Sequence, residues 1–278
     1  MTTPYQQQGA PAAAYSSYSS PIPVRKAHLG DALASEWTKI RSVRSTMWTL
    51  SVMIVLMLGL GVLSAVVVAS SEPDLEGQPI LSLGFFGVLL GSICVITLGV
   101  LTIASEYGTG MIRTTLTACP SRARVLTAKA IVFFLLVFTL TTAMAALVGA
   151  IQVSIIDQGT PTSEEWFRAT VGVGLYVALL GLLSLAIGSL IRHSAGAITV
   201  MIGVVLLPLV LALFMFSESL TDLREALFEY SIPNQLAVFY DNAVAQSGPQ
   251  GWDPMLIILG VTAAAMAGAY ALLKARDV

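Results

Sequence analysis

The chain has 278 residues, of which 56% are hydrophobic and only 11% are Asp, Glu, Lys or Arg. Soluble domains carry about 25% charged residues, so the composition excludes an ordinary water-soluble protein. The formal net charge is −2 and there are two cysteines, Cys94 and Cys119. This charge does not favour a nucleic-acid partner, and two cysteines cannot form a disulfide scaffold. The composition indicates a protein that crosses a membrane several times.

Long runs without a charged residue predict the membrane-spanning helices. A helix that rises about 1.5 Å per residue needs about 20 residues to cross a hydrocarbon core about 30 Å thick. Six runs are long enough: 47–69, 80–104, 130–156, 169–191, 195–216 and 255–273. None of them contains Asp, Glu, Lys, Arg or His. We therefore predict an all-α polytopic fold with six transmembrane helices, and ionisable side chains only at their ends or in connections.

The basic and acidic residues are distributed unequally between the two sides of the predicted membrane. The N-terminal stretch, the 105–129 connection, the 192–194 turn and the C-terminal tail hold twelve of the 14 Lys and Arg residues, with four acidic residues. The connections 70–79, 157–168 and 217–254 hold two basic and twelve acidic residues. Because short cytoplasmic segments are enriched in Lys and Arg, both termini are predicted to be cytoplasmic.

Residues 1–24 carry no charge and are rich in Gln, Ala, Ser, Tyr and Pro. Such a segment is too polar for a signal-peptide core and too poor in apolar residues to pack, so a disordered tail is predicted. A solvated tail is favoured over a modification or partner site at its tyrosines. The six-helix domain is then predicted to occupy residues 25–278.

The segment before the first span predicts an amphipathic helix over residues 29–46. Apolar residues recur at helical spacing, whereas basic residues project from other faces: Leu29, Leu33, Trp37, Ile40 and Met47 on one side, with Lys39, Arg41 and Arg44 on the others. This helix would lie in the inner interface with its basic side toward anionic lipid headgroups, and the chain would bend near Ser45. The alternative is an anchor that serves topology alone.

The 105–129 connection is short and basic. We expect Gly108 and Gly110 to turn the chain, Met111 to Leu116 to form a short helix, Pro120 to end it and Ser121 to cap the next helix. The resulting knob would display Glu106, Arg113, Arg122, Arg124 and Lys129. It could dock into a cleft on a soluble partner, or its basic residues could merely fix the topology; composition leaves both open.

Two further features concern the other face of the membrane. The 217–254 connection has an apolar stripe at helical spacing, formed by Leu220, Leu223, Leu227 and Phe228. Ser219 could cap this helix, and Pro233 would end it before a second apolar stretch. Two short helices on the outer surface are predicted, with fortuitous periodicity as the alternative. Pro208 in the fifth span is expected to kink that helix.

Several kinds of chemistry have no support in the sequence. No lysine follows a glycine, so the chain has no Walker A loop for ATP. Spans without ionisable residues exclude an intramembrane catalytic dyad or zinc site, and an enzyme is not predicted. His28, His193 and Cys119 are read as solvated loop residues rather than metal ligands, and no bound cofactor is expected.

An ordered set of short motifs resembles the permease subunit of bacterial ABC transporters of the ABC-2 exporter type. The motifs are Glu36, Lys39 and Arg41 before the first span, then Glu106, Gly110, Arg113 and Leu116, followed by Pro120, Arg122 and Lys129. The likeness runs from about residue 30 to the C-terminus. It implies an elbow helix at 29–46, a coupling helix within 109–126 that contacts an ATPase, and outer re-entrant or surface helices within 217–254.

The resemblance also implies an assembly in the bacterial plasma membrane. Two permeases, as a homodimer or with a related permease, would work with two copies of a separate ATPase that binds ATP and Mg, amid membrane lipid. The predicted function is ATP-driven export of a hydrophobic or amphiphilic substrate, because the path lacks charges. The alternatives are a sensor or anchoring subunit with the same fold, and an uncoupled channel or carrier.

Overall fold

The computed structural model describes residues 28–71, 79–119, 121–156, 160–243 and 247–275. The predicted tail at 1–24 and Pro120 lie outside the described residues. In chain order the helices are α1 (Leu29–Ser42), α2 (Arg44–Ser70), α3 (Phe85–Gly108), α4 (Met111–Ala118), α5 (Arg122–Ile155), α6 (Ser163–Phe167), α7 (Val173–Ile191), α8 (Ser194–Phe214), α9 (Thr221–Glu229), α10 (Ile232–Val238) and α11 (Asp253–Ala275). The described residues form no strand.

Six helical stretches are long and apolar enough to cross a membrane. They are α2, α3 with the 3₁₀ turn Ile80–Gly84 before it, α5, α6 and α7 joined by the π turn Arg168–Gly172, α8, and α11. The predicted all-α fold with six spans is confirmed. Pro208 lies inside α8, and a kink at this residue remains a prediction.

Most of the spans extend further than the apolar runs suggested, and the second and third matter most here. The second continues to Gly108 and the third begins at Arg122, so Glu106 and Lys129 lie inside α3 and α5. Ser121 caps α5 as predicted, accepting a hydrogen bond from the Arg124 backbone N–H at 3.4 Å. The expectation that ionisable residues lie only at the ends of the spans or in connections is therefore wrong for Lys129, which lies within α5, whereas Glu106 lies near the end of α3. Backbone hydrogen bonding continues past a charged residue, whereas the apolar-run criterion stops there.

The helices α3 and α7 form the centre of the bundle. They are the most buried of the spans and pack on each other, and both contact α5 and α8. Glycines allow their backbones to touch: a Cβ at Gly99 would lie 2.5 Å from the Gly181 carbonyl oxygen, and one at Gly188 would lie 3.1 Å from that of Val100. Small residues at such contacts let membrane helices approach closely.

The two short helices between α8 and α11 lie in different environments. No residue of α9 is buried, whereas all seven residues of α10 are buried. A position on the protein surface is thus observed for α9 but not for α10, for which the resemblance also allowed a re-entrant helix; that both lie on the outer face remains a prediction. Ser219 does not cap α9; instead Ser231 caps α10, accepting from the Asn234 backbone N–H at 3.3 Å.

An arginine from the start of the fourth span helps to hold α10 in place. Arg168 donates to the Val238 carbonyl oxygen at 2.5 Å and pairs with Asp241 at 2.8 Å. On the other side, the Tyr176 hydroxyl of α7 donates to Gln235 Oε1 at 3.4 Å. The last carbonyls of a helix lack intrahelical donors, so a guanidinium at this end stabilises the short helix.

Candidate functional site

The first helix turns a charged residue inward. It ends at Ser42, and extended backbone at Val43 (φ −84°, ψ 115°) separates it from α2, so the bend lies two residues before the predicted Ser45. Glu36 and Ile40 are its buried residues. Trp37, Arg41 and Arg44 are exposed, which leaves them available to a lipid headgroup region.

A sharp turn joins α3 to α4. Gly110 has φ +72°, a left-handed conformation that glycine adopts without steric cost, and it immediately precedes α4. Gly108 is helical, so the prediction that it also turns the chain is wrong. Helix α4 lies within the range predicted for the coupling helix; it buries Ile112, half-buries Leu116 and exposes Arg113.

Four charged side chains from three helices meet beside this turn. Lys129 Nζ of α5 donates to Glu106 Oε1 of α3 at 2.6 Å and to Glu36 Oε2 of α1 at 2.7 Å. Lys39 Nζ donates to Glu36 Oε1 and to Glu106 Oε1, each at 2.8 Å. We call Glu36, Lys39, Glu106 and Lys129 the ion cluster. Its two positive and two negative charges cancel.

The ion cluster also contacts α4. Lys39 Nζ lies 3.4 Å from Thr115 Oγ1, which can accept a hydrogen bond from it. The cluster therefore connects the helix before the first span, the end of the second span, the start of the third span and the short helix between them. Thr115 is the one member of this contact set that the sequence analysis did not single out.

Most of the ion cluster is buried. Lys129 is 1% exposed, Glu36 4% and Glu106 5%, whereas the Lys39 side chain is 25% exposed. Buried charges are tolerated only when close pairing and additional hydrogen bonds offset their desolvation, as the distances here provide. Burial lowers the pKa of Lys39, but the hydrogen bonds and charges of Glu106 and Glu36 outweigh it and raise the pKa overall.

This geometry corrects the predicted roles of two lysines. Lys39 was expected to face lipid headgroups, and Lys129 to be displayed on the knob between the second and third spans, for a partner or as a topology signal. Both point instead at carboxylates inside the protein. The motifs identified all four residues of the ion cluster, but no pattern in the sequence indicates that they contact one another.

Two arginines of the same end of the bundle make intramolecular contacts. Arg122 Nη1 donates to the Leu273 carbonyl oxygen near the end of α11 at 3.0 Å. The Arg192 guanidinium, in the turn between α7 and α8, lies 4.9 Å from the Tyr107 ring centroid, a cation–π distance. Arg124 is half-buried at the start of α5. Arg113 is therefore the exposed cation of the predicted set that projects from α4.

The two histidines take part in starting helices. His193 Nδ1 accepts a hydrogen bond from the Gly196 backbone N–H at 3.1 Å at the start of α8. His28 donates its backbone N–H to Asp31 at 2.9 Å at the start of α1. Within the described part of the chain, no group of three or more His, Cys, Asp or Glu residues could hold a metal ion.

Comparison with known families decides what kind of protein carries this arrangement. A family model described as ABC-2 family transporter protein matches residues 32–216, more than half of the chain. The chain belongs to the ABC-2 transporter family. No curated protein matches it. The matched range includes the ion cluster, α4 and the first five spans, so the resemblance drawn from the motifs is confirmed.

Family membership gives this ABC-2 permease its general role. It is a multi-pass membrane component of ABC transport, and members of the family work with an ABC ATPase partner. The matched range ends at Phe216, so α9, α10 and α11 are described by the structure alone.

Proposed function

We propose that this ABC-2 permease is the membrane-spanning subunit of an ATP-driven exporter, with α4 as its coupling helix. The observation that supports this is the ion cluster, which links α4 to α1, α3 and α5 through Lys39, Glu106 and Lys129. A helix that receives movement from a partner must be connected to the spans that open. The ion cluster supplies that connection.

The mechanism follows from these contacts. Closure of an ATPase dimer around ATP and Mg would push α4, and Thr115 would pass the movement to Lys39. Because Glu106 accepts hydrogen bonds from both lysines, α3 and α5 would be displaced together with α1. A hydrophobic or amphiphilic substrate would then leave between two permeases, as a homodimer or with a related permease, served by two ATPase copies. Such transitions displace whole helices rather than single side chains.

The same proposal determines which side of the membrane each end of the helical bundle faces. The ATPase is cytoplasmic, so α4, α1 and both termini would face the cytoplasm of a bacterial cell, and α9 would face outward. The excess of Lys and Arg on the α4 side supports this orientation independently. ATP would bind the partner, since the chain has no Gly-Lys pair for a phosphate loop.

Charge reversal on α4 tests the assignment. Arg113→Glu, co-expressed with the ATPase, should reduce co-purification and coupled ATP hydrolysis, because an acidic partner group would lose its pair at a cost of about 2–5 kcal/mol. Arg224→Glu on α9 is the matched control, an exposed arginine at the other face. Wild-type co-purification and hydrolysis by Arg113→Glu would remove the coupling assignment.

Transport assays separate the exporter from the other candidate functions. An exporter should show substrate-stimulated ATP hydrolysis and ATP-dependent movement of substrate in sealed vesicles. A sensor or anchoring subunit should bind the ATPase without moving substrate, and an uncoupled channel or carrier should move it without ATP. Either result would contradict the proposal.

A further inference from the structure

A groove lies beside the ion cluster, between α1, the start of α2 and α3. Its volume is about 270 Å³. Leu98 and Leu101 of α3 line one end, and Glu106 with Lys39 lines the other. Since a helix rises about 1.5 Å per residue, Leu98 and Glu106 are about 12 Å apart along α3. The groove is therefore apolar at one end and charged at the other, a shape that suits an amphiphile.

Glu106, which lines the charged end, has a carboxylate oxygen that no described residue satisfies. Glu106 Oε2 is buried and has no hydrogen-bond partner among the described residues, whereas Oε1 accepts from both Lys39 and Lys129. Buried carboxylate oxygens without a donor are unfavourable, and native structures rarely leave them so. A ligand with an N–H or O–H donor would satisfy this atom.

A second charged residue of the groove narrows the class of ligand that would fit. Lys39 is the most exposed member of the ion cluster and lines the same groove, so its positive charge can attract a phosphate, although its N–H groups already donate to Glu36, Glu106 and Thr115. A headgroup that offers a donating ammonium to Glu106 and a phosphate to Lys39 matches both groups. The primary ammonium of an ethanolamine headgroup donates hydrogen bonds, whereas the quaternary ammonium of choline has no N–H to donate.

We propose that this groove binds phosphatidylethanolamine from the membrane leaflet on the α4 side. Its ammonium group would donate to Glu106 Oε2, its phosphate would lie at Lys39, and an acyl chain would follow Leu98 and Leu101. The site joins α1 to α3, so a bound lipid would add to the contacts of the ion cluster. The proposal concerns binding and holds whether or not the permease exports a substrate.

Lipid binding by the full-length, delipidated protein in detergent tests this site. Dioleoyl phosphatidylethanolamine should bind about tenfold more tightly than dioleoyl phosphatidylcholine or phosphatidylglycerol, as expected for one charge-assisted hydrogen bond. Native mass spectrometry would measure the bound fractions. Equal binding of the three lipids would overturn the proposal. Glycerophosphoethanolamine, which has the same headgroup without acyl chains, should compete only weakly; competition as strong as that of the lipid would overturn the proposal, since the acyl chain would then contribute nothing.

A groove-filling variant locates the binding. Leu101→Trp should fill the apolar end without altering any residue of the ion cluster, and should abolish the preference for phosphatidylethanolamine. Leu207→Trp is the matched control, because Leu207 is an exposed leucine of α8 away from the groove. If Leu101→Trp is as thermally stable as the control and still prefers phosphatidylethanolamine, the lipid binds elsewhere and the proposal is contradicted.

Discussion

Lys129 Nζ lies 2.6 Å from Glu106 Oε1, and both residues are inside membrane-spanning helices. The same lysine reaches Glu36, which precedes the first span, at 2.7 Å. A buried ammonium held by two carboxylates, with Lys39 as the second cation, gives a group without net charge. That neutrality explains how four ionised side chains can be placed at the end of an apolar bundle.

Removing the buried lysine should destabilise the protein strongly. Lys129→Met leaves two carboxylates sharing Lys39 alone, and breaking a buried ion pair typically costs about 3–5 kcal/mol. Chemical unfolding in detergent would measure the loss. Lys274→Met, at an exposed lysine near the end of α11, should change the free energy of unfolding very little, and equal stability of the two variants would contradict the ion cluster.

A double variant should show that the two residues are coupled. Lys129→Met with Glu106→Gln should cost less than the sum of the single substitutions, because the second change removes one of the two carboxylates that the first left sharing Lys39. Additive effects would mean that the two side chains contribute independently, contrary to the 2.6 Å contact.

Alkaline pH should weaken the protein through Lys39. Its pKa is raised in the folded state above its ordinary value of 10.5, so the stabilisation is fully present below about pH 10.5 and is lost as pH rises through the folded pKa. Lys39→Gln should lower the melting temperature at neutral pH, and its deficit against the wild type should shrink above pH 10.5. A deficit that stays constant would contradict this role, and Lys39→Arg, which stays protonated, should keep the stabilisation.

The contact between α3 and α7 should be intolerant of a methyl group. In Gly99→Ala the new Cβ would lie 2.5 Å from the Gly181 carbonyl oxygen, so the backbones must separate. Overpacking of this kind costs about 1–3 kcal/mol, which a lower melting temperature would report. Gly203→Ala on α8, whose Cβ would meet nothing within 4 Å, should be neutral or slightly stabilising. Equal effects of the two substitutions would count against the close approach.

Cysteine labelling should establish the proposed orientation. In a background with Cys94 and Cys119 replaced, Ser219→Cys should react with an impermeant thiol reagent added to intact cells, whereas Ser35→Cys should not. Both serines are exposed, so accessibility on the protein surface is matched. Labelling of position 35 from outside would reverse the orientation and remove the coupling proposal.

The six spans could be predicted from the sequence because the length of an apolar run is a local property. Their ends could not: the second and third spans contain Glu106 and Lys129, whose charges are balanced by residues distant in sequence. Glu36 and Lys129 are 93 positions apart. Residue spacing predicts contacts only between residues that are near in sequence. The motifs identified these residues without showing that their side chains form ion pairs.

The burial of α10 was hidden for a different reason. Its sequence includes Asn234 and Gln235, polar residues that favour an exposed position. In the structure their amides donate to the carbonyl oxygens of Glu229 and Tyr230, at 3.1 and 2.8 Å. Hydrogen bonds to the chain just before the helix thus allow both residues to be buried. A hydrophobic pattern cannot predict these hydrogen bonds.

The glycine contacts between α3 and α7 limit how this permease can move. Because Gly99 meets the Gly181 carbonyl and Gly188 meets that of Val100, neither helix can slide past the other without separating. The two helices should therefore move as one rigid body about 30 Å long. Glu106 lies at one end of this body, and Gly172 and Tyr176, which pack against Phe239 just after α10, lie near the other. A small tilt imposed at the ion cluster would consequently reach α10 on the opposite face without rearrangement of the intervening core.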